Sequence, residues 1–114
     1  MQYLLLIYLD GEKMYQLPRE EAGRIHGAYQ AYTEALKEAG AFRANHGLRP
    51  ATEATTVRVS GDKARVLNGP FAETKEQLAG YFLVDVPDLD AALSWAKRCP
   101  GAAYGAVEVR PVWA

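Results

Sequence analysis

The sequence predicts an α+β domain with a ferredoxin-like βαββαβ order and a β-hairpin inserted between its second and third strands. Three observations favour it: apolar runs near both ends, two amphipathic helical stripes, and a Gly61-Asp62 turn between two short Val- and Thr-rich segments. This order places both helices on one face of an antiparallel sheet. The other face keeps apolar side chains, and sheet-to-sheet pairing of two copies is the simplest cover for it.

The first strand and the first helix are the clearest elements. Tyr3–Leu9 is continuously apolar, which is typical of a strand covered on both faces. It has no basic segment before it and is too short to span a bilayer, so we expect neither a signal peptide nor a membrane anchor. Pro18 suits a first helical turn and Gly40 a helix end. The helical stripe between them comprises Ala22, Ile25, Tyr29, Tyr32, Leu36 and Ala39.

The remaining elements follow from alternation and turn residues. After Gly40, a second strand is predicted to end near Pro50, with Phe42, Ala44, His46 and Leu48 together on a buried face. The hairpin strands are Thr55–Ser60 and Ala64–Leu67, and residues 71–77 form a loop or a single helical turn. A strand over Ala79–Val86 precedes a helix capped by Asp88 and ended by Pro100, and Ala106–Val112 is the last strand. The stripe of this second helix comprises Leu89, Ala92, Leu93, Ala96 and Cys99.

The composition of the chain limits the classes of function that it can have. The 114 residues fit a single domain, residues 1–114, with 13 basic and 14 acidic side chains, unlike the basic footprint of a nucleic-acid-binding protein. Cys99 is the only cysteine, so no intrachain disulfide is possible, which is compatible with a reducing cytoplasm. The sequence has two histidines but no evident third ligand, which is weak evidence for a metal site. The phosphate-loop pattern is also absent, so we expect no metal and no cofactor.

Residues 68–82, which read NGPFAETKEQLAGYF, carry a resemblance to a known family. They resemble the signature of DGPF-type proteins of the YCII-related superfamily, approximately DGPFAETKEQLGGYYLI. The apolar start, the Asp88–Ala92 helix start and the Val107–Val112 ending also fit. The resemblance implies a dimeric α/β barrel in a bacterial cytoplasm. It implies no defined activity: some relatives occur beside or fused to extracytoplasmic-function sigma factors, and a few resemble small-molecule enzymes, including a dehydrochlorinase with a proposed His-Asp pair.

This chain departs from the family pattern at two places. Asn68 stands where the motif usually has Asp, which removes a carboxylate at the start of the loop. His46 stands where Glu is more frequent, and the helix histidine of the wider family falls nearer Tyr29. Neither His26 nor His46 therefore inherits the catalytic role from the resemblance.

His46 is nevertheless the best chemical candidate, because histidine titrates near neutral pH and can act as general base or acid. A histidine that is hydrogen-bonded in the core or at a dimer interface is the structural alternative. His26 is offset from its helix stripe, and a solvent-facing position is the simpler interpretation.

The loop contributes two more catalytic candidates, Glu73 and Glu76, with Lys75 between them as a ligand-binding candidate. Paired carboxylates shift one another's pKa values, which suits proton transfer. The alternative is a solvated loop with weak ion pairs. Phe71 follows Gly69-Pro70 and either anchors the loop or contacts a ligand.

Tyr81 and Arg110 complete the ligand-binding candidates. Tyr81 belongs with Tyr29, Tyr32 and Phe82 to an aromatic wall, where core packing is the alternative to ligand stacking. Arg110 either holds an anion or pairs with Asp85 or Glu108. Cys99, late in an apolar stripe, is interpreted as structural.

Two function classes follow. The leading hypothesis is a homodimeric small-molecule-binding domain, in its enzymatic form a lyase or isomerase with His46 as base, beside the 68–77 loop. The second is a non-enzymatic regulatory or accessory module that binds a protein, such as a sigma factor. A third interpretation gives the loop motif a purely structural role in fold and dimer.

Overall fold

The computed structural model describes residues 1–113, and its main feature is a four-stranded antiparallel sheet carrying helices. The strands are β1 (Gln2–Leu9), β2 (Phe42–Gly47), β3 (Thr55–Ser60), β4 (Lys63–Asn68), β5 (Gln77–Asp85) and β6 (Ala106–Pro111). The helices are α1 (Gly11–Tyr15), α2 (Arg19–Glu38) and α3 (Leu89–Arg98), with 3₁₀ turns at Ala51–Glu53 and Pro100–Ala103. The main sheet has the order β2-β5-β1-β6, and β3 and β4 form a separate two-stranded sheet. The predicted α+β class is confirmed.

The core lies on one face of the main sheet, under α2 and α3. Side chains alternate along the central strands, so Leu5 and Val84 are fully buried there. The helices contribute Leu36 and Ala92 to the same cluster, and Cys99, directly after α3, also belongs to it. No helix within residues 1–113 combines the length and apolar character needed to cross a bilayer.

The opposite face of the sheet, here called the open face, is less deeply buried among residues 1–113 than the face under the helices. It presents half-buried side chains, namely Leu4, Leu6, Tyr8, Tyr81 and Leu83. The continuous apolar run of β1 predicted cover on both faces, whereas within residues 1–113 one face of β1 is buried and the other is only half-buried. Apolar surface of this kind is costly in water, so the open face is a candidate contact surface.

Strand β2 differs from its prediction in register. A bulge between Phe42 and Ala44 inserts one residue, so Phe42 packs against the core while Ala44 pairs with Leu83 on the open face. His46 pairs with Tyr81 on that same face and is exposed, so the prediction of a buried His46 is wrong. Leu48 lies beyond the strand and is 47% exposed.

The helices also correct the sequence analysis. In α2 only Tyr32 and Leu36 are buried, and Ala22 and Ala39 at the ends of the predicted stripe are exposed. In α3, Asp88 caps the helix as predicted, its side chain accepting from the Ala91 amide at 2.9 Å. Leu89 and Leu93 are 47% and 37% exposed, so the buried stripe narrows to Ala92, Ala96 and Cys99.

Helix α1 was not predicted from the sequence. Its five residues are too few to show an apolar stripe, but Asp10 caps it by accepting from the Lys13 amide at 3.3 Å. The predicted hairpin is confirmed as β3–β4 around Gly61, whose φ of 65° suits the turn. Gly40, with φ of 71°, follows the end of α2 as predicted.

Candidate functional site

A histidine–tyrosine pair links the two strands at one side of the main sheet. The Nδ1 atom of His46 lies 2.8 Å from the hydroxyl oxygen of Tyr81, and the two ring centroids are 5.6 Å apart. The strand register places the two residues directly opposite each other on β2 and β5. The hydrogen bond restrains the orientation of the imidazole, a condition for proton transfer to or from its other nitrogen.

Both residues also border a cavity of about 430 Å³ between α2 and the sheet. Asn45 precedes His46 on β2, and Phe82 follows Tyr81 on β5. Because side chains alternate between the two faces of a sheet, those of Asn45 and Phe82 point toward α2. His26 and Tyr29 line the cavity from the helix. The complete lining is Ile7, Leu9, His26, Tyr29, Asn45, His46, Gly47, Ala79, Gly80, Tyr81 and Phe82.

The floor of this cavity depends on a glycine pair. Gly47 and Gly80 lie opposite each other on β2 and β5, so no side chain fills the space above them. A Cβ atom at Gly80 would lie 2.8 Å from the carbonyl oxygen of His46 and 3.3 Å from the Cα of Gly47. Gly80 is thus required by close backbone approach, whereas a Cβ at Gly47 meets nothing within 4 Å.

Aromatic rings form the apolar wall. Tyr29 stacks on Phe82 with centroids 6.3 Å apart, and Tyr32 meets the same ring edge-on at 5.1 Å. The Tyr32 hydroxyl donates to the Trp95 carbonyl at 2.7 Å. Burial raises the pKa of Tyr29 and of Tyr32 well above the ordinary tyrosine value, so both phenols stay neutral. Their place in the helix–sheet interface is as the sequence predicted, whereas Tyr81 lies on the other face.

The 68–76 loop borders a separate groove of about 620 Å³. Phe71, Thr74 and Glu76 line it from the loop, and Tyr8 and Leu78 line it from the sheet. The loop is shaped by Gln77, whose side-chain amide donates to the carbonyls of Ala72 and Thr74 at 2.6 and 2.9 Å. It is irregular in structure, consistent with the prediction of a loop.

The family assignment now follows from comparison with known proteins. The family model described as "YCII-related domain" matches residues 1–114. The chain belongs to the YCII-related family. An uncharacterised protein of Rhizobium meliloti (strain 1021) is 39% identical over 114 residues, which cover 98% of this chain and 92% of that protein.

This YCII-related chain distributes the predicted site residues over three places. His46 and Tyr81 form the pair described above, while Phe71 and Glu76 border the loop groove. Gln77, which follows Glu76, is four residues from Tyr81 along β5, or about 13 Å at the usual rise per residue. The proton-transfer candidates His46 and Glu76 therefore do not meet within one chain.

Glu73, Lys75 and Arg110 lie away from the loop groove, and Glu76 borders a second hollow as well. Lys75 and Glu76 line a further hollow of about 690 Å³ beside Glu108, and Glu73 is exposed. Arg110 lies on β6, at the sheet edge opposite His46, with its Nε donating to the Glu108 carboxylate at 2.7 Å. Arg110 was expected to bind an anion or to form an ion pair with Asp85 or Glu108. The ion pair with Glu108 is present, so the guanidinium already has a carboxylate partner within the chain.

His26 is exposed, as predicted, but the sequence analysis did not identify His26 or Asn45 as residues that line the cavity. His26, Tyr29 and Thr33 are spaced by three and four residues, so they share one side of α2, and this spacing was the available signal. His26 and Asn45 also border a hollow of about 520 Å³ that continues along the helix to Glu34. No group of three or more His, Cys, Asp or Glu side chains suited to a metal ion occurs among residues 1–113.

Proposed function

We propose that this YCII-related protein is a homodimeric small-molecule-binding domain of the bacterial cytoplasm, with its ligand in the α2–sheet cavity. One observation supports the proposal most directly. A titratable pair, His46 and Tyr81, borders a cavity whose other wall is aromatic and whose floor is left empty by Gly47 and Gly80. Catalytic and binding residues commonly occur in such a combination of apolar wall and few polar groups.

The lining suggests the class of ligand. A volume of about 430 Å³ lies at the low end of the range for small-molecule sites. Phe82 and the Tyr29 ring offer apolar and stacking contacts, and His26 and Asn45 offer hydrogen-bonding groups. The lining contains no Lys or Arg, so a compact, planar, uncharged or weakly acidic molecule fits it best.

In the enzymatic form of the proposal, a ligand that extends from the cavity past the edge strand β2 to the open face gives a proton to His46, as in a lyase or isomerase. Tyr81 holds the imidazole through the 2.8 Å hydrogen bond, leaving Nε2 for the exchange. Glu73 or Glu76 is the proposed second proton-transfer group, with Lys75 or Arg110 as anion holder and Phe71 as ligand contact. Because Glu76 and Arg110 are distant from His46 within one chain, this set needs residues from a second subunit.

The homodimer is proposed to form through the open face. Half-buried Leu4, Leu6 and Leu83 on two neighbouring central strands make an apolar surface that a second copy would remove from water. In the proposed ferredoxin-like fold, two such faces packed together would form the dimeric α/β barrel suggested by the DGPF-type motif. Sedimentation velocity of the wild type and Leu6→Glu tests this step: a dimer that becomes a monomer is expected, and a monomeric wild type contradicts it.

The ligand proposal is tested by screening a library of planar, weakly acidic or neutral metabolites by ¹H–¹⁵N NMR. Binders are expected to shift the amides of Asn45, Gly80 and Phe82. Asn45→Leu should weaken such a binder at least about tenfold, equivalent to about 1.4 kcal/mol. Lys97→Gln, an exposed change on α3, serves as the matched control. Shifts confined to other surfaces, or equal affinity in Asn45→Leu and wild type, would contradict the site.

A second candidate function is a non-enzymatic accessory module that binds a protein such as a sigma factor. It is favoured by the hairpin valines Val57, Val59 and Val66, which are 60–68% exposed in the single chain. A ligand screen without binders, together with stable capture of a purified sigma factor, would favour this function over the first.

A further inference from the structure

The β3–β4 hairpin, here called the arm, stands apart from the rest of the chain. Its strands pair only with each other, and it joins the body at its base, where the Gly69 amide donates to the Ala54 carbonyl at 2.7 Å. Every strand residue of the arm is exposed except Thr56, which is half-buried. An isolated two-stranded hairpin is marginally stable in water, so the arm has little support of its own.

One side of the arm is apolar. Val57 lies opposite Val66, and Val59 lies opposite Ala64, so these four side chains share one surface. The three valines are 60%, 65% and 68% exposed. An exposed apolar surface on a β-ribbon is a candidate surface for protein contact.

The other side is cationic. Arg58 lies directly opposite Arg65, a like-charged pair that destabilises a hairpin. Arg58 lies over the Phe71 ring, with its guanidinium carbon 4.7 Å from the centroid. None of Arg58, Lys63 and Arg65 forms an ion pair within residues 1–113.

Charge distinguishes the arm from the body. Of the chain's 13 basic and 14 acidic residues, the arm holds three basic residues and one acidic residue, Asp62, which leaves 10 and 13 for the rest. A cationic arm on an anionic body is complementary to the body of another copy of the same chain. The chain's radius of gyration is 15.9 Å, above the roughly 13 Å of a compact domain this long.

We infer that the arm of each protomer packs its valine side against the open face of a second copy, as a clamp across the homodimer. This inference rests on the homodimer of the proposed function and assigns it a specific contact. The base of the arm supports the placement, because Thr55 and Thr56 border the same groove as Tyr8 and Leu78 of the main sheet. The arm therefore begins beside the open face of its own protomer, which the second copy would cover.

The test is the dimer dissociation constant, measured by sedimentation equilibrium, for the double variant Val57→Thr/Val59→Thr. Threonine keeps the branched shape and strand propensity of valine but loses its apolar contact. The constant should rise at least about tenfold, equivalent to about 1.4 kcal/mol. Leu67→Thr, on the opposite side of the same arm, is the matched control and should change it less than about twofold. Far-UV circular dichroism and the melting temperature establish that each variant is folded.

Hydrogen exchange of the arm amides gives a second readout in the unaltered protein. Protection should increase when the protein concentration passes the dimer dissociation constant. Two results together would overturn the arm contact while leaving the homodimer intact. The double variant would have the same dimer dissociation constant as the wild type, and the arm amides of the wild type would stay unprotected in the dimer. A monomeric wild type overturns both. In either case the valine side would be assigned to a different protein partner.

Discussion

His46 and Tyr81 lie directly opposite each other on neighbouring strands, with imidazole Nδ1 and phenol oxygen 2.8 Å apart. Neither residue needs this contact to satisfy a buried polar group, because His46 is exposed and Tyr81 is half-buried. The pair therefore lies accessible on the open face, and the opposite face of the same strands borders the α2–sheet cavity. Its hydrogen bond fixes which imidazole nitrogen faces away from the strand partner.

Tyr81→Phe should free the His46 ring with little loss of stability. The ring is retained and only the hydroxyl partner is lost, so the free energy of unfolding should fall by less than about 1 kcal/mol. The ¹⁵N shifts of the His46 imidazole should move toward a mixture of tautomers. Long-range ¹H–¹⁵N NMR measures the change, with His26 in the same spectrum as the internal control. Unaltered His46 shifts would show that the hydrogen bond has no influence on the ring.

Gly80→Ala should destabilise the protein because backbone atoms stand where the new methyl group would go. The Cβ would lie 2.8 Å from the carbonyl oxygen of His46, so β2 and β5 must separate. We expect a loss of about 1–3 kcal/mol in urea unfolding. Gly47→Ala on the facing strand is the matched control, since its Cβ meets nothing within 4 Å, and should stay within about 0.5 kcal/mol of wild type. Equal losses in both variants would contradict the close-approach explanation.

Cys99 should be unreactive in the folded protein. It is 2% exposed, and burial raises the pKa of its thiol, so little thiolate forms at neutral pH. Labelling with a thiol reagent should therefore be slower than in urea-unfolded protein by on the order of a hundredfold or more. Similar rates in native and unfolded samples would contradict the structural role of this cysteine.

The sequence predicted most of the fold because its strongest signals are local. The strand predicted over Ala79–Val86 is present as β5, but its alternation places Tyr81 on the face opposite Phe82, so their expected place in one aromatic wall is wrong. The cap at Asp88 and the turn at Gly61 depend on their own backbone geometry and were also predicted correctly. Each of these features is determined within a few residues.

The candidate site was less predictable because it depends on register between distant segments. The bulge between Phe42 and Ala44 reverses the face on which His46 lies, and no alternation pattern contains that information. The cavity likewise depends on Gly47 meeting Gly80, residues 33 positions apart in the chain. Side chains of α2 complete it, and their depth over the sheet is a tertiary property.

A hydrogen bond between Glu21 and Tyr104 should give the stability a measurable pH dependence. The Tyr104 hydroxyl donates to the Glu21 carboxylate at 2.5 Å, joining the first half of α2 to the segment after the Pro100–Ala103 turn. This hydrogen bond, with Arg24 nearby, lowers the pKa of Glu21, and the same carboxylate raises the pKa of Tyr104. The contact holds the part of α2 that carries His26 over the cavity.

The signs of the two shifts define a pH window. The lowered Glu21 pKa means that its contribution is complete above the ordinary glutamate pKa, about 4.3, and disappears as pH falls through the folded value. The raised Tyr104 pKa means that its contribution is complete below about pH 10 and disappears as pH rises through the folded value. Tyr104→Phe should therefore lower the melting temperature across this window, and the difference from wild type should shrink at both ends.

The melting temperatures of wild type and Tyr104→Phe, measured from pH 3 to pH 11 in steps, check this expectation. Tyr15→Phe is the control, because Tyr15 is 74% exposed and the same hydroxyl is removed without a carboxylate partner. Its curve should run parallel to wild type throughout. A Tyr104→Phe curve that is also parallel would mean that Glu21 titrates independently of Tyr104, and that α2 is held over the cavity by its aromatic contacts alone.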